Sequence, residues 1–290
     1  MSAIIYYEHL VNQFLLCDSD RNRSHAASTW PKVLVLYPFL AQKPLSEMLV
    51  ILVLRGIRNQ RSCDHMYDFL EIFAGRGNLS YEMLKAGFEG SAYDVIFENE
   101  AHNALTSKGL RWLLDSLASL KCRGLSWFAT RCSSFVVLCR HQSERNQSND
   151  FMGNLTRPFV VCGNNLMEVT SLLYLVSWLL GQHPVLEQPT NSVMPQCPAL
   201  KLVLQWTGSM KHVTYMGAFA GFSQKPLQLW SAWGDVNRLV RPCPEMISSS
   251  LVRRHDGNRF TGDKELLAES QCYTRQFGKA VAQICREAWQ

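Results

Sequence analysis

The chain is predicted to be an α/β protein built on a doubly wound sheet, and three observations predict it. From Tyr67 onward, short apolar runs alternate with amphipathic segments, the pattern of buried parallel strands joined by crossover helices. The stretch Asp68–Asp94 reads as strand, glycine turn, helix, strand, with an acid toward the end of each strand, Glu71 and Asp94. An apolar fraction of 47% against a charged fraction of 18% is enough for a real core and excludes a disordered chain.

Residues 1–66 stand apart as an N-terminal extension or cap of unknown role. They hold a possible helix (Ile4–Leu16), a polar break (Cys17–Ser28) and two apolar runs (Lys32–Leu40 and Leu45–Leu54), with no chemical motif. Residues 67–230 and 271–290 form the expected core. Strand Phe69–Phe73 leads through Gly75-Arg76-Gly77 into helix Leu79–Ala86 and strand Gly90–Asp94. A helix near Glu98–Lys108 precedes the apolar strand Gly124–Ala129, and a polar loop follows at Arg140–Asn154. Helix Leu166–Leu180 precedes strand Pro184–Leu186, which ends in Glu187-Gln188-Pro189. A helix near Cys197–Trp206, a strand His212–Met216 and a strand-like run ending at Trp230 complete the alternation. Residues 231–270 break it with a short, irregular, arginine-rich insertion, and Arg275–Ala288 is an amphipathic closing helix.

The net charge of +5 permits a nucleic-acid partner without demanding one. Ten cysteines are scattered with no Cys-x-x-Cys pair and no zinc spacing. That implies free thiols in a reducing compartment, so the chain is expected inside the cell, nuclear or cytoplasmic and not secreted, with no metal. The first sixteen residues carry Glu8 and no basic start, unlike a secretory leader. No run approaches the roughly 20 apolar residues of a membrane span, so no membrane partner is expected.

Five local patterns carry chemistry. A helix start behind a glycine turn offers free backbone N–H groups, and an acid on the next strand tip is placed for a ribose. Gly75-Arg76-Gly77 lacks the third glycine of a dinucleotide fingerprint, and Phe73 precedes it as a stacking surface for an adenine. Cys132 follows a buried strand, where an α/β sheet presents reactive groups, and Arg131 beside it favours a thiolate. Glu187 is a carboxylate at a buried strand tip, costly to desolvate unless it binds something. Phe222–Trp230, with Gln224 and Lys225, and Tyr273–Val281 complete the series.

In this order the patterns resemble the cytosine-C5 methyltransferase family, over about Tyr67–Ile284. Its opening Asp-Leu-Phe-Ala-Gly-x-Gly-Gly is similar to Glu71-Ile-Phe-Ala-Gly-Arg-Gly-Asn78, and its Ala-Gly-Phe to Ala86-Gly-Phe88. Its Pro-Cys falls at Arg131-Cys132, and its Glu-Asn-Val at Glu187-Gln-Pro189. Its Pro-Gln-x-Arg-x-Arg falls at Ser223–Gln228, and its terminal Gln-x-Gly-Asn-(Ser/Ala)-Val at Gln276-Phe-Gly-Lys-Ala-Val281. The resemblance implies a Rossmann-like methyltransferase sheet, S-adenosyl-L-methionine as cofactor, and methyl transfer to C5 of cytosine in DNA, or in RNA, through a covalent cysteine adduct. It implies Cys132 as nucleophile and Glu187 as base-edge acid, with Gln224 and Lys225 beside them. It also implies a cofactor site of Phe73, Ala74, Gly75, Gly77, Asn78, Asp94, Asp115 and Lys279. Arg140, Arg253 and Arg254 would hold nucleic acid, Arg140–Asn154 would close over the substrate as a mobile loop, and the insertion 231–270 would stand in the place of a target-recognition region. The proline before the nucleophile is here Arg131, the two arginines of the Gln-x-Arg-x-Arg pattern are Pro226 and Gln228, and the terminal asparagine is Lys279. Those departures support an alternative, a methyltransferase-fold protein that binds cofactor or nucleic acid without turnover. A third reading, suggested by the short recognition region, is a methyltransferase for a substrate other than nucleic acid.

Overall fold

The computed structural model describes residues 67–98, 101–245, 252–254, 260–262 and 264–289. The elements expected within residues 1–66 lie outside the described residues. Strand β1 (Tyr67–Ile72) buries Phe69, Leu70 and Ile72 completely, as a strand covered on both faces requires. It turns into helix α1 (Asn78–Lys85) and returns as β2 (Gly90–Tyr93). Helix α2 (Ser107–Ala118) starts where the Thr106 hydroxyl accepts the Gly109 N–H at 3.1 Å. That cap puts α2 later than the helix expected near 98–108, where residues 101–106 are turn and bend. Then come β3 (Leu120–Phe128), α3 (Pro158–Leu179), β4 (His183–Pro189), α4 (Pro198–Trp206), β5 (Met210–Tyr215) and β6 (Pro226–Ser231). A two-stranded ribbon of β7 (Val252–Arg254) and β8 (Phe260–Gly262) precedes α5 (Arg275–Ala288).

The main sheet has the order β2-β1-β3-β4-β6-β5. The first four strands are parallel, and β6 runs antiparallel to both β4 and β5. The sheet is therefore mixed rather than wholly parallel. The short connection 216–225 between β5 and β6 has no room for a crossover helix, so the chain returns as a hairpin. From β1 the chain winds first to β2 and then back across to β3. The winding reverses between β1 and β3, and the crevice beyond their C-terminal ends is where such sheets bind ligands.

Helices cover both faces. Phe69, Leu125, Trp127, Val185, Leu227 and Leu229 share one core with Leu79 and Met83 of α1 and with Phe277, Val281 and Ile284 of α5. On the other face the Ser126 hydroxyl meets the Ser177 hydroxyl of α3 at 2.5 Å, and Phe128 lies 5.8 Å from the Tyr174 ring. Contrary to the sequence expectation, α3 is long and apolar enough to cross a membrane by length and composition alone; most of it is buried within this fold.

Part of the expected insertion is core. Val236 and Leu239 are buried in the same cluster as Trp127. Arg238 pairs with Glu287 of α5 and, at 3.7 Å, with Asp235, so this arginine ties the segment down. Helix α5 lies close against α1 because Gly278 has no side chain: a Cβ there would sit 3.0 Å from the Asn78 carbonyl and 3.1 Å from Glu82 side-chain carbons. Gly278→Ala gains about 1 kcal/mol of helix propensity, and the crowding against the Asn78 carbonyl should outweigh it, for a net loss of up to about 2 kcal/mol read as a lower urea midpoint at unchanged m-value. An unchanged or raised midpoint would show that the two helices yield.

Candidate active site

The β1–α1 turn is built from left-handed residues. Phe73, Gly75 and Gly77 have φ of 62°, 55° and 65°. Glycine adopts this region freely, whereas a phenylalanine there is strained, and such strain persists only where the surroundings enforce it. The ring of Phe73 is left partly exposed. The space where a Gly75 side chain would stand is open. The Asp94 carboxylate, at the tip of β2, accepts the N–H groups of Gly75 at 2.9 Å and Ile96 at 3.1 Å. It holds the turn in shape and keeps further lone pairs.

Glu71 is completely buried behind this turn. Its Oε2 accepts the Ser80 N–H at 2.8 Å and the Ser80 hydroxyl at 2.5 Å, while Oε1 has no hydrogen-bond partner among the described residues. Burial pushes its carboxyl up to about 7, against the lowering effect of Ser80.

Cys132 sits just past β3, between two anchored residues. Ahead of it, the Thr130 carbonyl accepts from Gln188 Nε2 at 2.6 Å and its hydroxyl meets Thr170 of α3 at 2.7 Å. Behind it, Ser134 is gripped by Arg145, which is fully buried. Arg145 donates to the Ser134 carbonyl and hydroxyl, both at 2.9 Å, to the Phe151 carbonyl at 2.6 Å and to Asn164 Oδ1 at 2.8 Å. It also donates to the Val160 carbonyl at 3.3 Å and lies 3.7 Å over the Phe135 ring. All five guanidinium donors are used by neutral acceptors, and burial lowers the group to about 10. The loop Arg140–Asn154, expected as a mobile flap, is thus pinned at its centre. Gly163 lets α3 approach: a Cβ there would fall 2.3 Å from the Ser134 hydroxyl.

Glu187 stands near the end of β4, 7% exposed. Tyr273 donates its hydroxyl proton to Oε2 at 2.8 Å and accepts the Trp127 Nε1–H at 2.9 Å. Oε1 has no partner among the described residues. Lys225, beside the exposed Gln224, is held at φ 27° by the hydrogen bond from the Met216 N–H to its carbonyl, 3.2 Å. Cys132, Glu187 and Lys225 lie within electrostatic reach of one another. Burial first and the Glu187 carboxylate second push the Cys132 thiol up to about 11, and Lys225 opposes them. Burial likewise raises Glu187, against Lys225 and the Tyr273 hydrogen bond. Arg131 has an exposed side chain; the cation acting on the thiol is Lys225.

Two groups of expected residues therefore assemble at one end of the sheet: Phe73, Ala74, Gly75, Gly77, Asn78 and Asp94 at the turn, and Cys132, Glu187 and Lys225 beside it. No family model, curated protein or solved structure matches the chain. Other expected residues stand elsewhere. Asp115 is exposed near the end of α2, where the chain enters the N-terminal end of β3, at the opposite edge of the sheet. Lys279 is exposed on α5 and Arg140 on a one-turn helix. Arg253 and Arg254 lie in β7, opposite Thr261 and Phe260. Sequence reading gave no role to Tyr273, Trp127 or Arg145. Tyr273 heads a motif segment, but nothing in the residue pattern marks its hydroxyl.

Two outcomes follow from these environments. Lys225→Ala should slow iodoacetamide alkylation of Cys132, resolved by peptide mass spectrometry at fixed pH, by roughly 3- to 10-fold; an equal rate would remove Lys225 from the site. The folded pKa of Glu71 lies above its unfolded value, so between about 4.5 and 7 the unfolded chain ionises this group and the fold does not. Its contribution to stability therefore falls as pH rises through that window, by up to about 3 kcal/mol. Glu71→Gln should flatten that part of the stability–pH curve in urea titrations.

Proposed function

We propose that the chain is an S-adenosylmethionine-dependent methyltransferase of the cytosine-C5 type, acting on DNA or RNA. The observation that carries this reading is the gathering of Cys132, Glu187 and Lys225 beside the Phe73–Asn78 turn, at the end of the sheet where the winding reverses. The turn fits the cofactor: open space over Gly75, a strained and partly exposed Phe73 ring, and Asp94 with lone pairs to spare. Phe73, Gly75, Gly77 and Asp94 would hold the cofactor's nucleoside. When bound, S-adenosylmethionine supplies an electrophilic methyl group.

The chain's own residues then have the following work. Cytosine C5 is a poor nucleophile, and addition of the Cys132 thiolate to C6 makes it enamine-like. Glu187, whose carboxyl burial raises, would donate from its protonated form to ring N3 and stabilise the charge that develops there. Loss of the C5 proton afterwards allows Cys132 to leave C6. In the free protein at neutral pH only about one thiol in ten thousand is ionised, given a thiol near 11. The two acids are coupled: a neutral Glu187 no longer opposes ionisation of Cys132, so the protonation state N3 requires is the one that favours the nucleophile. The target base must leave its stack to reach this pocket. Arg140, Arg253 and Arg254 would contact phosphates, which gives affinity without sequence choice.

The high thiol and the exposed Arg131 favour a second reading, a protein that binds the cofactor without turnover. One experiment separates them. With S-adenosylmethionine, an oligonucleotide carrying 5-fluorocytosine should form a complex stable to denaturation, and Cys132→Ser should abolish it. Cofactor binding by calorimetry with no such complex would select the second reading.

A further inference from the structure

We propose that Tyr273 is the positioning residue of Glu187: its hydroxyl donates to Oε2, leaving Oε1 as the atom that carries the acid proton to the base. This rests on the role proposed above for Glu187. A tryptophan Nε1–H only donates, so the 2.9 Å contact from Trp127 occupies a lone pair of the Tyr273 oxygen. The single phenolic proton is then directed to Glu187 Oε2, 2.8 Å away. An oxygen that accepts this bond is a poor place for the carboxyl's own proton, which goes to Oε1, the buried oxygen with no partner among the described residues.

All three side chains are buried, at 0% for Trp127 and 7% for both Glu187 and Tyr273, so the chain of bonds is shielded from exchange with water. The charged and titratable groups facing Glu187 are Cys132 from the loop after β3, Lys225 from the loop before β6, and Tyr273 from the start of α5; Glu71 at the end of β1 acts on Tyr273 in turn. The Tyr273 carbonyl also accepts from Asn78 Nδ2 at 2.6 Å, so the residue that orients the acid is tied to the first residue of α1, at the cofactor turn.

The test reads Glu187 through its neighbour in the free protein. Ionisation of Glu187 makes Cys132 harder to ionise, so the pH profile of Cys132 alkylation bends where Glu187 titrates, and Glu187→Gln should remove the bend. Tyr273→Phe removes a donor to the carboxylate and should move the bend upward by about one pH unit. Incorporation of 3-fluorotyrosine at position 273 keeps the ring, strengthens the donor and should move the bend downward, which decides the matter if Tyr273→Phe does not fold. A bend that stays in place with the fluorinated residue, or in a folded Tyr273→Phe protein, overturns the proposal. Displaced bends in a protein that transfers no methyl group would keep Tyr273 as the positioning residue and reject the reaction. Methyl transfer with an undisplaced bend would do the reverse.

Discussion

A carboxyl group buried near the end of a strand cannot be left alone, and Glu187 sets the terms for its surroundings. Moving an unpaired carboxylate out of water is so costly that the group stays neutral or acquires partners. Here both happen. Burial raises it, and the Tyr273 hydroxyl and the Lys225 charge offset part of that rise. Each partner is itself constrained: Tyr273 by Trp127 and Asn78, and Lys225 by a left-handed backbone that the Met216 N–H secures. Cys132 inherits the result, since its thiol responds to both members of the pair.

Arg145 solves a different problem beside the loop that carries Cys132. A buried guanidinium without a carboxylate partner is unusual, and it persists because every donor finds an oxygen and the cation rests on the Phe135 ring. Its acceptors come from the loop after β3, the loop 140–154 and α3, so one side chain joins three segments. The position of Cys132 is thereby specified by polar geometry as well as by apolar packing.

Much of this architecture was legible in the residue pattern. The apolar runs placed β1 and β4 to within a few residues, because strands buried on both faces have no periodicity to misread. The closing helix was exact at Arg275–Ala288, since Thr274 caps it and its apolar stripe is unbroken. The antiparallel β6 was not legible, because direction depends on the length of the preceding connection rather than on the strand's own composition. The α2 boundary was missed because the cap is a single threonine among several polar residues. Cys132 and Glu187 could be picked out as polar groups at strand tips. Tyr273 and Arg145 could not, since a tyrosine or an arginine in a polar stretch is buried only by tertiary partners far away in the sequence.

The bond from Asn78 to Tyr273 spans 195 residues of chain. During synthesis at about 5–20 residues per second, β1, α1 and the turn emerge roughly 10 to 40 s before the segment that completes their packing. Once made, Glu187 waits roughly 4 to 17 s for its phenol and Trp127 roughly 7 to 29 s for the acceptor of its N–H. The apolar face that α5 will cover stays open until the last helix arrives. The nascent chain therefore holds its sheet in waiting, and the surroundings of Glu187 are among the last parts of this fold to come into being.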